Sequence, residues 1–174
     1  MPKKLYVSGV PGSGVGLVCQ LFHAFEGVCF IDHDGEQTYL DAINSSVSGV
    51  WRSLGEGLFS QHSDDMECAP EYQLEELIGA DVSVIYVRRN LESLVLLDGD
   101  GDLERRHYSA EGLAEKMFDR ISLVVDIEDI MEFPDEEQRR FAEVLGLRVA
   151  SLWSGYPGFV PVRHRPLPLH LPQI

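Results

Sequence analysis

The stretch VSGVPGSGVGLVCQLF, from Val7 to Phe22, constrains the fold more than any other part of the chain. Lys4 to Ser8 is a short apolar run of strand type, Gly9 to Gly14 is a glycine-rich turn, and Leu17 to Phe25 carries apolar residues at helical spacing. A strand, a glycine loop and a helix in that order make a phosphate cradle, because glycines let successive backbone N–H groups converge and the helix start adds a positive dipole end. Gly9, Gly12, Ser13, Gly14, Val15 and Gly16 are therefore candidate binding positions. The spacing Gly9-x-x-x-x-Gly14 fits the P-loop, whose next residues should be Lys, to neutralise the transferred phosphate, and Ser or Thr, to hold Mg²⁺. This chain has Val15 and Gly16 instead. Losing a charge-assisted partner removes about 1.5–3 kcal/mol of interaction. The other reading of the same residues is a structural turn joining strand to helix.

A length of 174 residues suits one α/β domain able to bury a core without disulfide or metal staples. The net charge of -15 argues against nucleic acid and anionic membrane as partners, since the protein's own field repels both. An anionic small molecule would have to be held by local arginines and backbone dipoles. The 3 cysteines, Cys19, Cys29 and Cys68, form no Cys-x-x-Cys pair and read as reduced, mostly buried residues. No apolar run approaches the about 18 residues that span a bilayer. Met1-Pro2-Lys3-Lys4 leads straight into a strand with no basic-then-apolar leader, so a cytoplasmic location is expected.

Farther along, Val28 to Ile31 reads as a second strand ending in Asp32-His33-Asp34. Residues just past the carboxyl ends of strands face the ligand crevice of an open α/β sheet. A carboxylate or imidazole from Asp32, His33 or Asp34 is thus a candidate general base toward an acceptor hydroxyl, and helix capping is the alternative role for the two carboxylates. Glu36 to Leu54 is helix-compatible, with Tyr39, Leu40, Ile43, Val47, Val50, Trp51 and Leu54 on an apolar stripe. Gly55 to Ala69, containing His62, reads as a loop, and Pro70 to Gly79 as a helix with Pro at its start. Val82 to Val87 (VSVIYV) is an unbroken β-branched run expected at the centre of the sheet. Arg88 and Arg89 follow at its carboxyl end, suited to bidentate phosphate contact.

Leu91 to Leu97 reads as a short helix, and the acidic Asp98 to Asp102 run departs from a calcium loop at the positions that should be Gly and Glu. Arg105, Arg106 and His107 form a second basic cluster, expected in a loop that could close over an anion or balance the acidic run beside it. Ser109 is a suitable cap for a helix to about Arg120, Ile121 to Ile127 reads as the fourth strand, and PDEEQRRFAEVLG carries the best helix signals in the chain. Leu147 to Trp153 is a candidate edge strand. From residue 154 on, Pro157, Pro161, Pro166, Pro168 and Pro172 predict an extended proline-rich arm (154–174) outside the 1–153 domain, able to pack on its own domain, reach a protein partner or self-associate.

Alternating strands and helices behind a glycine loop indicate a three-layer α/β/α architecture around a mainly parallel sheet, with P-loop-like topology. Three segments together resemble the sulfotransferase family, a P-loop relative. GVPGSGVGLV is similar to that family's 5′-phosphosulfate loop, G-x-P-[RK]-S-G-T-[TS]-L-L. VIYVRRNLESLVL is similar to its 3′-phosphate strand and helix, and LVVDIEDIMEFPDEEQRRFAEVLGL to its late strand, E-D-L turn and closing helix. The resemblance covers about two-thirds of the chain, in the expected order. It implies a 3′-phosphoadenosine 5′-phosphosulfate donor, with Ser13, Gly14 and neighbouring amides at the 5′ end, Arg88 or Arg89 on the 3′-phosphate, and a base from Asp32, His33 or Asp34 acting on an acceptor alcohol or amine. The chain departs from the family at Gly12 (Arg or Lys there), at Val15 and Gly16 (hydroxyl residues) and at Leu96 or Leu97 (the 3′-phosphate Ser).

Three other readings remain open on the residues alone. GVPGSG also begins the P-loop of many nucleoside and nucleotide kinases. Gly14-x-Gly16-x-x-Cys19 with Asp32 is a dinucleotide-binding pattern with Cys at the third glycine position. A P-loop fold without catalysis, serving as a binding or assembly module, accounts for the stripped loop, the acidic surface and the arm.

Overall fold

In the computed structural model, which describes residues 2–31, 38–53, 57–60, 70–97 and 101–155, the strands alternate their side chains between two separate apolar layers. The strands are β1 (Lys4–Ser8), β2 (Gly49–Arg52), β3 (Val82–Arg88) and β4 (Leu123–Asp126), in the order β2-β1-β3-β4. Every pairing is parallel: β1 runs beside β2 from Lys4↔Gly49 to Val7↔Arg52 and beside β3 from Lys4↔Val82 to Ser8↔Tyr86, and β3 meets β4 from Ile85↔Leu123 to Arg88↔Asp126. A parallel sheet needs crossovers, and seven α-helices among the described residues cover its two faces.

Leu5, Val7, Ile85, Val87, Leu123 and Val125 point to one face, against α1 (Val15–Leu21), α6 (Ile127–Glu132) and α7 (Pro134–Leu145). Tyr6, Trp51, Val84 and Tyr86 point to the other, against α2 (Thr38–Asn44), α3 (Pro70–Gly79) and α5 (Asp102–Lys116). Each large side chain buried this way contributes about 1.5–3 kcal/mol of transfer free energy. Trp153 closes the first layer: it is fully buried, packs edge-on against Phe25 and Phe141, and donates its indole N–H to the Leu21 carbonyl at 2.9 Å. Ser154 follows, its backbone N–H and hydroxyl both bonded to the Asp135 carboxylate.

Local chemistry explains the helix limits. In α7 Pro134 opens the helix, Asp135, Glu136 and Glu137 sit in the first turn, and Gly146 ends it at φ +66° with its N–H on the Ala142 carbonyl. Asn90 caps α4 (Leu91–Leu96) by accepting from the Glu92 N–H. Lys4, although in a strand, is buried because its ammonium donates to the carbonyls of Ala42, Ile43 and Ser45 at 2.8, 3.0 and 3.2 Å, satisfying the end of α2.

Several expectations are corrected. Among the described residues of the helix expected over 36–54, only α2 is helical, and Gly49–Arg52 is instead β2, the strand next to β1. Its apolar residues fall at helical spacing, but the open edge of β1 pairs the segment and overrides that signal. Val28 to Ile31 is not a full strand: it contributes one parallel bridge, Phe30↔Val50, flanked by the Ile31 N–H to Val50 carbonyl bond. Arg105, Arg106 and His107 lie in a helix rather than a loop, since α5 begins at Asp102 behind Gly101 (φ +81°) and not at Ser109. The fourth strand ends at Asp126, where α6 starts. The edge strand expected over 147–153 is a single antiparallel bridge, Phe25↔Val149, before a 3₁₀ turn at Trp153–Gly155. Cys19 is buried as expected and Cys29 is exposed. Cys68, His62, the Asp98–Asp100 acids and the arm beyond 155 lie outside the described residues.

Candidate functional site

From β1 the chain goes to β2 on one side, then crosses back to β3 on the other. The carboxyl ends of β1 and β3 therefore flank the switch point where ligands bind in open α/β sheets. The glycine loop leaves the first of these ends and Arg88-Arg89-Asn90 the second.

The loop is shaped by close approach. A Cβ on Gly9 would lie 2.3 Å from the Val87 carbonyl oxygen, and one on Gly14, at φ +105°, would lie 2.8 Å from Ile127 Cδ1. Gly12 also has positive φ, +87°, beside Leu97. The Ser13 N–H closes a turn on the Val10 carbonyl at 2.9 Å, and Val18 N–H makes the first helical bond, to Gly14 O at 3.0 Å. The amides of Val15, Gly16 and Leu17 precede that first bond and have no partner within the helix. Over the loop lies a cavity of about 420 Å³ lined by Gly9–Gly12, Gly14–Gly16, Ser53 and Ser60. Ser13 Oγ and Ser53 Oγ are buried without a hydrogen-bond partner among the described residues. Of the two, Ser53 lines the cavity, and a buried hydroxyl left unsatisfied there fits a polar or anionic occupant.

Arg89 joins this cavity to a second. Its Nη1 donates to the Gly12 carbonyl at 3.1 Å, and its side chain lines a more open hollow of about 530 Å³ above β3 and β4. That hollow has mixed charge: Arg88, Arg89 and His107 stand against Glu111, Asp126, Glu128 and Asp129. Arg88 is engaged by its neighbours. Asp126 holds its Nε and Nη2 at 2.6 and 3.3 Å, and Glu111 holds Nη1 at 3.3 Å. The hydrogen bond it donates to Asp126 raises the guanidinium pKa further, so this arginine stays charged. Tyr86 donates to the other Glu111 oxygen at 2.8 Å, and burial, followed by the Glu111 carboxylate, pushes its phenol far above the ordinary range. Burial, then the carboxylates of Asp126 and Glu137, pushes the Asp129 carboxyl up.

The second basic cluster divides. Arg106 is mostly buried and donates to Asp102 Oδ2 and to the Ser60 carbonyl, both at 2.9 Å, so it anchors the 3₁₀ turn Leu58–Ser60 that walls the glycine-loop cavity. Arg105 points to solvent, 3.7 Å from Asp102. Asp32, His33 and Asp34 lie outside the described residues. The loop residues 9–16 and Arg89 are brought together, and Arg88 sits beside them bound to carboxylates. Arg52 and Ser53, at the end of β2, also border the loop; both were missed as site residues because their segment reads as helix. No group of three or more His, Cys, Asp or Glu side chains among the described residues could hold a metal ion, and no described helix is long and apolar enough to cross a membrane. Compared with known proteins, the chain is matched by no protein-family model and by no curated protein.

Proposed function

We propose that the chain is a sulfotransferase-like protein of P-loop type that binds a nucleotide of the 3′-phosphoadenosine 5′-phosphosulfate class at this switch point. The observation that carries the reading is the contact between Arg89 and Gly12, which joins a glycine-loop cavity to a cationic strand end. The loop amides and the orphaned Ser13 and Ser53 hydroxyls suit the 5′ anionic end, and Arg89 suits a 3′-phosphate. In transfer, an acceptor oxygen or nitrogen would form its bond to sulfur as the bond from sulfur to the 5′-phosphate oxygen breaks. The acceptor proton would pass to a base, which the family resemblance assigns to Asp32, His33 or Asp34, and 3′,5′-adenosine bisphosphate would leave.

A second reading, a binding module without transfer, is favoured by one observation: Arg88 is bound by Asp126 and Glu111, and positions 12 and 15 of the loop carry no basic residue of their own. Charge developing on a moving sulfuryl group would then lack its usual stabilisers. Thermal unfolding with saturating 3′,5′-adenosine bisphosphate, ATP–Mg²⁺ or NAD⁺ tests the nucleotide class. Ligand at 100 times its Kd stabilises by about 2.7 kcal/mol, so the bisphosphate should raise Tm by several degrees and the others should not. A rise with ATP–Mg²⁺ or NAD⁺ alone would move the assignment to a kinase-like or dinucleotide-binding protein. Release of bisphosphate from the labelled donor, assayed with mixed alcohol and amine acceptors, separates transfer from binding alone.

A further inference from the structure

The glycine-loop cavity combines engaged acceptors with open donors. No described residue that lines it is charged, and none carries a carboxylate or an imidazole. The Val10 carbonyl takes the Ser13 N–H, the Gly12 carbonyl takes Arg89, the Gly14 carbonyl takes the Val18 N–H, and the Ser60 carbonyl takes Arg106 Nη1 at 2.9 Å. The Ser60 hydroxyl is closed on Gly57, donating to its carbonyl at 2.6 Å and accepting from its N–H at 3.0 Å. On the donor side, the N–H groups of Gly14, Val15 and Gly16 make no hydrogen bond among the described residues. Neither does the Ser53 hydroxyl. Ser53 is only 9% exposed and lines the cavity, and its own N–H bonds the Val7 carbonyl at 2.9 Å, which fixes it beside the start of the loop.

A buried hydroxyl with no protein acceptor in reach has only the occupant to donate to. An occupant bearing a proton of its own would meet no carboxylate or imidazole to receive it, and a further buried polar group would be left unpaired. We infer that Ser53 and the loop amides form a donor-only site that selects an oxyanion carrying no proton, with the Ser53 hydroxyl as the specificity-determining group. Sulfate and sulfate esters meet that condition at any ordinary pH, and a phosphate ester meets it above its second pKa of about 6. Inorganic phosphate at neutral pH does not, because it keeps a proton. The inference rests on the reading that this cavity takes an anion, and deepens it by naming the class of anion and the residue that selects it.

Amide-shift titration of the isotope-labelled full chain with sodium sulfate, and separately with sodium phosphate, tests it at neutral pH and constant ionic strength. Sulfate should move the Gly14, Val15, Gly16 and Ser53 amide signals saturably. Phosphate should bind more weakly by about tenfold or more, as expected where a buried proton is left unpaired. Ser53→Ala should weaken sulfate binding several-fold, and Ser53→Thr, which keeps the hydroxyl, should recover most of that loss. Thermal unfolding shows whether each variant is folded, and the sulfate-to-phosphate ratio of the wild type carries the test if Ser53→Ala is not. A parallel titration with 3′,5′-adenosine bisphosphate separates the inference from the nucleotide reading. Sulfate selectivity without bisphosphate binding would uphold the inference and overturn that reading, whereas bisphosphate binding with equal affinity for sulfate and phosphate would do the reverse. A folded Ser53→Ala protein that binds sulfate as the wild type does, or a wild type whose loop signals saturate with neither anion, would overturn the inference.

Discussion

Arg89 and Gly12 stand 77 positions apart in the chain, and the guanidinium of one donates to the carbonyl of the other at 3.1 Å. The bond ties the glycine loop after β1 to the end of β3, so one arginine lines the hollow above β3 and β4 and holds a carbonyl of the loop that lines the other cavity. Arg89→Ala should weaken binding of 3′,5′-adenosine bisphosphate by about 1–3 kcal/mol. Stability should change little, because the bond is exposed to water. Calorimetry paired with a denaturant melt checks both halves, and unchanged affinity would remove Arg89 from the 3′-phosphate role.

Arg88 has the opposite environment, facing its register partner Asp126 across β3 and β4 with both carboxylate oxygens engaged. Asp126→Asn should cost only about 0.2–1 kcal/mol of stability, since the pair is more than a third exposed on each side. It should also strengthen bisphosphate binding, by removing one negative charge from the hollow and loosening the Arg88 guanidinium, which Glu111 still holds. A weaker affinity in a folded variant would show that Arg88 must stay held by Asp126 for the ligand to bind.

Two carboxyls give opposite pH signatures. Burial, and then Asp126 and Glu137, raise Asp129 in the fold, so its stabilising contribution is full below the ordinary carboxylate range and is lost as pH rises through its folded pKa. Asp129→Asn should therefore raise Tm at neutral pH, with the gain vanishing in acid. Glu71 is lowered, by its backbone hydrogen bond first and then by Lys116 at 3.1 Å. Its contribution is present above the ordinary range and lost as pH falls through its folded pKa. Glu71→Gln should lower Tm at neutral pH and leave it unchanged in acid. Melting curves from acid to neutral pH, on both sides of the ordinary carboxylate range, separate the two signs.

The loop glycines differ in what they tolerate. Gly9→Ala and Gly14→Ala should each cost about 1–3 kcal/mol, the first by driving a methyl into the Val87 carbonyl and the second by adding backbone strain to a clash with Ile127. Gly16→Ala should be neutral or stabilising by up to about 1 kcal/mol, as its nearest neighbour is 3.7 Å away. Gly12→Arg, which would place a basic residue in the loop, meets a φ of +87° and should lose about 1–2 kcal/mol. Chemical denaturation of the four variants gives the order directly.

The central strands were legible because their signals are local. Val82 to Val87 is an apolar β-branched run with no competing helical period, and Pro134 to Gly146 carries its own start and stop residues. Gly49–Arg52 was not legible, because Val50 and Trp51 continue the apolar spacing of Tyr39 and Ile43, and only pairing to β1 makes them a strand. That one misreading hid Arg52 and Ser53 from the candidate site. The start of α5 was obscured in the same way: its first turn is acidic and basic rather than apolar, and Gly101 marks the boundary by its backbone angle alone. In the candidate site, the loop and Arg89 follow from residue types at a strand end. Whether an arginine there is free or bound, as Arg88 is to Asp126 and Glu111, depends on residues from two later elements and cannot be read from spacing.

The most direct measurement is calorimetric titration of the purified full chain with 3′,5′-adenosine bisphosphate, with adenosine 5′-monophosphate as the control lacking the 3′-phosphate. The account predicts saturable binding of the bisphosphate at about micromolar Kd, near -8.2 kcal/mol. The monophosphate should bind at least tenfold more weakly. Equal affinity for the two would contradict a 3′-phosphate subsite at Arg89, and no heat with either would contradict the glycine loop as a nucleotide cradle.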